Sequence, residues 1–139
     1  MKKTNRILIV LFLFTICCKC ELEGDSYTIS LKNESNDSIL CYTSLVEKNT
    51  KFYPDTSLSI EQVKLMTIGS MKMENVFVSH NEIQEVFKYF LPSDTLSVFI
   101  IHPDTLNSYP WEIIRAEYKI LKRYDLSIKD LESMNWTIT

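Results

Sequence analysis

His80 and His102 are the only histidines in the 139-residue chain. His102 is the better placed for chemistry. It follows the apolar run Leu96-Ser97-Val98-Phe99-Ile100-Ile101 and precedes Pro103-Asp104. A histidine at a strand end, oriented by a nearby carboxylate, could serve as a general base. That would give a small hydrolase or metal-dependent enzyme using His102 and Asp104. The commoner role of such a residue is polar closure of a strand end. A Ser-His-Asp arrangement also needs its serine on a sharp turn of the G-x-S-x-G kind. Gly24 and Gly69 are the only glycines, so no such turn can be written. His80 stands just ahead of a helical pattern and reads as part of its entry. Three aspartates recur in similar settings, Pro54-Asp55-Thr56, Ser93-Asp94-Thr95 and Pro103-Asp104-Thr105. Calcium takes oxygen ligands, and three such carboxylates could share one ion. The D-x-D-x-D-G spacing is missing, however, and turn-forming Asp explains each of them. No catalytic residue, metal ligand or cofactor is assigned on these grounds, and a non-enzymatic role is favoured.

The cysteines carry more. Cys17, Cys18 and Cys20 follow Lys2, Lys3 and Arg6 and a run from Ile7 to Ile16 that is apolar apart from Thr15. C-C-x-C lacks the two paired ligand groups of a zinc site. A basic segment followed by about 7–15 apolar residues is the pattern of a secretion signal. A membrane-crossing helix needs about 20, and here Lys19, Glu21 and Glu23 follow at once. No A-x-A-like cleavage site is present. Leu11 to Cys18 instead resembles a lipobox, in which the apolar run ends at a cysteine that is acylated and becomes the new N-terminus. Acylation at Cys18 places the small Cys17 before the cut; acylation at Cys17 would place the bulky Ile16 there. Cys18 is therefore preferred, with Cys17 next. The chain divides into a lipoprotein signal peptide (1–17), a polar tether (18–26) and one domain (27–139).

Cutting before Cys18 removes Lys2, Lys3 and Arg6 and no acidic residue, so 15 basic residues become 12 against 18 acidic ones, a formal −6. Nucleic acid needs a clustered basic footprint and is excluded as a partner. Anionic headgroups are equally poor partners. Membrane attachment must then come from covalent acyl chains, each buried CH₂ contributing about 0.8 kcal/mol.

The elements that would position these residues read as follows. Tyr27-Thr28-Ile29-Ser30-Leu31-Lys32 alternates like a half-buried strand. Asn33 to Ser38 is a turn by composition, and Ile39 to Leu45 is a second strand, so a hairpin is expected. Residues 52–56 are extended and then turn; Ile60 to Met73 has no clear period. Val76-Phe77-Val78 is a short strand. Ile83, Val86, Phe87, Phe90 and Leu91 share one face of a helix over 82–91. Ser79 with Glu82 fits a capping box, and Pro92 stops the helix. Leu96 to Ile101, apolar on both faces, predicts a central strand. Pro110 opens a helix over 111–123, with Trp111, Ile114, Tyr118 and Leu121 in sequence along it. Ser127 starts a short helix to Met134, and Trp136 to Thr139 closes as a strand. Trp111, Tyr118 and Trp136 are core candidates before they are a sugar-stacking platform. Cys41, between Leu40 and Tyr42, is expected as a buried free thiol. The fold class is α+β: an antiparallel sheet with two or three helices packed on one face.

Residues 93–100, 111–115, 121–127 and 131–138 (Ser93-Asp94-Thr95-Leu96, Trp111-Glu112-Ile113-Ile114-Arg115, Leu121-Lys122-Arg123-Tyr124-Asp125-Leu126-Ser127 and Leu131-Glu132-Ser133-Met134-Asn135-Trp136 among them) resemble small uncharacterised lipoproteins of Bacteroides-type bacteria, a family of unknown function. The resemblance implies a cell-envelope location and brings no activity with it. Lys19, Glu21, Glu23 and Asp25 after the cysteine also resemble the signal that sends such lipoproteins to the outer surface; a periplasm-facing domain is the alternative. The role expected is a lipid-anchored envelope module, structural or binding, with an envelope protein or glycan as partner.

Overall fold

The computed structural model describes residues 26–46, 51, 53–91 and 93–139. The signal peptide, the tether as far as residue 25 and the helix stop at Pro92 lie outside the described residues. The α+β class is observed, built from two sheets and, among the described residues, four helices.

The strands are β1 (Tyr27–Lys32), β2 (Ile39–Thr43), β3 (Met66–Ile68), β4 (Met73–Ser79), β5 (Leu96–Ile101), β6 (Lys122–Leu126) and β7 (Thr137–Ile138). The helices are α1 (Ile83–Phe90), α2 (Pro103–Ser108), α3 (Trp111–Ala116) and α4 (Ile128–Ser133). A 3-10 turn, Ser44–Val46, follows β2. One sheet has the order β4-β1-β7 and the other β3-β2-β5-β6.

The expected hairpin is corrected by this order. β1 and β2 sit in different sheets, and the 33–38 connection passes from one to the other. The connection from β3 to β4 makes the reverse passage beside it. Asn33 is the reason the two run together. It is 2% exposed, and its Nδ2 donates to the carbonyls of Asp37 (2.8 Å), Gly69 (3.0 Å) and Ile68 (3.3 Å). Its Oδ1 accepts from the Ser35 N–H and hydroxyl. Backbone bonds from Asn33 N to Lys72 O and from Met71 N to Ser35 O complete the join. A buried amide side chain so fully engaged satisfies carbonyls that neither sheet can reach.

The core lies in two parts. Between the sheets, Ile29 and Leu31 of β1, Val76 of β4 and Ile138 of β7 meet Ile39 and Cys41 of β2, Ile68 of β3, Leu96, Val98 and Ile100 of β5, and Leu126 of β6. Ile83, Val86 and Phe87 of α1 and Leu131 of α4 join them. On the other face of the larger sheet, Leu40, Tyr42, Phe99 and Ile101 pack under Trp111 and Ile114 of α3 and Leu58. β5 is buried along its whole length because its two faces belong to different cores. Alternation alone makes this division: even-numbered residues face the first core, Phe99 and Ile101 the second.

Three further expectations change. β7 joins β1 in parallel, through Ser30↔Thr137 and Leu31↔Ile138. The capping box at Ser79 does not form: Glu82 is the N-cap without a side-chain bond, and Ser79 Oγ accepts instead from Asn81 N at 3.0 Å. The box forms at α4, where Ser127 Oγ accepts from Asp130 N and Asp130 returns a carboxylate to Ser127 N. The helix expected over 111–123 ends at Ala116. Tyr118 enters the left-handed region at φ 53°, Lys119 N reaches Ile114 O, and Tyr118 N reaches Arg115 O. This pair of bonds is a Schellman close with tyrosine where glycine usually stands. Residues 122–126 then pair antiparallel with β5, from Ile100↔Lys122 to Leu96↔Leu126.

Candidate functional site

His102 ends β5 and caps α2. Pro103 takes the first helical position, where its missing N–H costs nothing, and His102 Nδ1 accepts from Asp104 N at 3.2 Å. The Asp104 carboxylate stands 3.6 Å from the same nitrogen, with its side chain 82% exposed. A base oriented by a carboxylate must donate its Nδ1–H to it. Here the Nδ1 lone pair receives the backbone N–H, so in neutral His102 the proton sits on Nε2. The pair is built as a helix cap, and nothing in its geometry favours proton transfer to a substrate. His80 is exposed in the connection between β4 and α1.

Asp55, Asp94 and Asp104 are not brought together: among the described residues no three of His, Cys, Asp or Glu form a group able to hold a metal ion. Trp111 is buried, and its Nε1–H donates to Ser59 O at 3.0 Å. Trp136 packs partly buried against the first core. Tyr118 is 44% exposed, contrary to its assignment to the core; the Schellman close turns it out over the sheet. Cys41 is a buried free thiol, as expected, and burial pushes it up to about 12. Cys17 and Cys18 lie outside the described residues.

A second polar cluster, not anticipated from the sequence, bridges β5 and β6. Ser97 and Asp125 are register partners across β5 and β6, as are Phe99 and Arg123. The buried Ser97 hydroxyl donates to Asp125 Oδ1 at 2.6 Å, and Arg123 Nε donates to the same oxygen at 2.8 Å. Arg123 also donates to Thr56 O at 3.0 Å and lies over the Phe99 ring at 5.4 Å from its centre. Tyr118 meets Phe99 edge-on. Burial pulls the Arg123 guanidinium down, but its bonds to Tyr118 and Asp125 outweigh this and hold it above its ordinary value. Ser97 is fully buried and has no histidine beside it, so it is not an available nucleophile. The cluster instead fastens the irregular 56–59 segment to the sheet. Arg123 holds Thr56 O, Arg115 Nε holds Leu58 O at 3.1 Å, and Trp111 holds Ser59 O. The signal in the sequence was Arg123-Tyr124-Asp125-Leu126, whose alternation of charged with aromatic or apolar residues is that of a strand.

No known family, characterised protein or solved structure matches the chain.

Proposed function

We propose that the chain is an exported lipoprotein of the cell envelope, held in a membrane by acyl chains on Cys18 or Cys17, whose body is a non-enzymatic structural or binding module. The observation that carries the proposal is the basic segment Lys2, Lys3, Arg6 followed by Ile7–Ile16 and a cysteine pair. The resemblance of residues 93–138 to lipoproteins of Bacteroides-type bacteria supports it, as does a mature body too acidic to hold an anionic surface by charge. The engaged state of His102, Ser97 and Arg123 favours the module over a hydrolase. No described helix is long and apolar enough to cross a membrane. An envelope protein or glycan is the expected partner.

The test is the double variant Cys17→Ala/Cys18→Ala expressed in the native cell with an alkyne-tagged fatty acid. It should lose the acyl label and leave the membrane fraction. The single variants identify the acylated cysteine, Cys18→Ala being the one expected to lose the label. A double variant that stays membrane-bound overturns the anchor.

A further inference from the structure

β3 pairs with β2 only from Ile39↔Ile68 to Cys41↔Met66. β2 runs on beyond that point to Thr43, paired with β5 on its other side. Where β3 leaves, a cavity of about 70 Å³ opens between the sheets, lined by Cys41, Tyr42, Thr43, Lys64, Met66 and Val76. Cys41 and Thr43 are two apart on the strand and so point to the same, inner face. Thr43 is 3% exposed, and its Oγ1 is buried without a hydrogen-bond partner. A buried hydroxyl left in that state is costly to the fold. Its persistence beside a cavity marks a place where something else completes the bond.

The chemistry of the lining narrows what that is. The Cys41 thiol remains protonated at neutral pH, so it presents a weak S–H donor and no charge. Lys64, exposed at the rim, supplies an ammonium. Thr43 can donate through its hydroxyl. No lining side chain is acidic, so the polar groups together suit an acceptor, above all an anionic one. Met66 and Val76 line the remainder and suit a short apolar body. At about 10–15 Å³ per water-sized group, the cavity takes roughly five heavy atoms.

We propose that this gap binds a small monocarboxylate of about three carbons, its carboxylate accepting from the Thr43 hydroxyl and facing the Lys64 ammonium, its alkyl part against Met66 and Val76. The proposal rests on the fold and is independent of the lipid anchor.

The test is a titration of the full-length chain, in neutral detergent and labelled at its methyl groups, with sodium propionate at constant ionic strength. Propanamide, a neutral isostere, is the control. Saturable shifts are expected at the Thr43, Met66 and Val76 methyls, with propanamide binding at least about tenfold more weakly. Thr43→Val should weaken propionate at least about tenfold, the usual scale for a hydrogen bond to a charged group. It should not lower the thermal midpoint, since it removes an unsatisfied hydroxyl. Lys64→Gln, at an exposed position, should weaken binding several-fold and decides the matter if Thr43→Val does not fold. No saturable shift, or equal affinity for propanamide, or undiminished binding in Lys64→Gln or in a folded Thr43→Val, overturns the proposal.

Discussion

Cys41 and Asn33 show what single buried groups do in this fold. Burial alone holds the Cys41 thiol near 12, so at pH 8 the reactive thiolate is on the order of one part in ten thousand. Iodoacetamide should spare Cys41 in the native protein and modify it in denaturant, as read by peptide mass; rapid native labelling would contradict the burial. The same shift has a pH consequence. The folded value lies above the ordinary 9.0, so above pH 9 the unfolded chain loses a proton that the folded chain keeps. Stability should fall as pH rises from 9 towards 12, and Cys41→Ala should fall less steeply over that window in paired urea titrations. At Asn33 the donors matter more than the shape. Asn33→Ala strands the carbonyls of Asp37, Ile68 and Gly69 and should cost about 3 kcal/mol. Asn33→Asp, nearly isosteric, aims a carboxylate at those carbonyls and should cost at least as much at pH 7. Its carboxyl would be raised in the folded state, so lowering the pH should restore part of the loss by returning a donor. A variant as stable as wild type at pH 7 would show that the two crossing connections do not depend on this amide.

The helix and strand ends show where the sequence could be read and where it could not. β1, β5 and α1 were legible because apolar residues recur at the right period and are ordered by burial alone: Ile29 and Leu31 in β1, Leu96 to Ile101 in β5, Ile83, Val86 and Phe87 in α1. α3 was read seven residues too long, since no glycine or proline announces its end. Tyr118 occupies the left-handed position itself, and the two apparent helical repeats beyond Ile114, Tyr118 and Leu121, belong to the close and to the run into β6. α2 was missed altogether, because His-Pro-Asp reads equally well as a turn and as a cap with proline at the first helical position. The pairing of β1 and β2 was missed for a different reason. Local sequence favours a hairpin, whereas the crossing to the second sheet is fixed by long-range bonds, those of Asn33 to residues 68, 69 and 72 and of Met71 to Ser35. The polar cluster of Ser97, Arg123 and Asp125 followed β6 out of sight, since cross-strand register does not exist before the strand is recognised. α4 closes in the same way as α3, with Asn135 at φ 49° and bonds from Trp136 N to Leu131 O and Asn135 N to Glu132 O. Asparagine tolerates that conformation and a β-branched residue does not. Asn135→Gly should therefore lie within a few tenths of a kcal/mol of wild type, or slightly above it, while Asn135→Val should lose about 1–2 kcal/mol. Equal stability of the two in urea denaturation would show that the close is not under conformational strain.

At the scale of the whole molecule, the proposed lipid anchor would leave the domain facing one side of a membrane or the other. On the proposed reading, eight residues (19–26) separate Cys18 from the start of β1 at Tyr27, a reach of at most roughly 30 Å when extended. The body would stay close to its anchoring surface, and Lys19, Glu21, Glu23 and Asp25 would keep the tether in water. β1 is the middle strand of its sheet, but at its attached end Tyr27 to Ile29 pair with β4 alone, β7 joining at Ser30 and Leu31, so a pull on the tether would load the β4 pairing first. The charge of −6 that cleavage before Cys18 would leave would repel an anionic membrane face and leave the domain free to meet a partner on either side. On that reading the likeness of the tether to a surface-export signal makes the outer surface the expected face. Trypsin added to intact cells should then cut at Lys19, in the polar tether, and release the domain into the medium. Strand lysines such as Lys32 should resist for longer, because cleavage there requires local opening of the paired sheet. If the protein survives on intact cells and is cut at Lys19 only after the outer membrane is broken, surface display is wrong and the domain faces the periplasm. If Lys19 resists on both sides of the membrane while unfolded protein is cut there, the tether is not the open, hydrated segment that its charges imply.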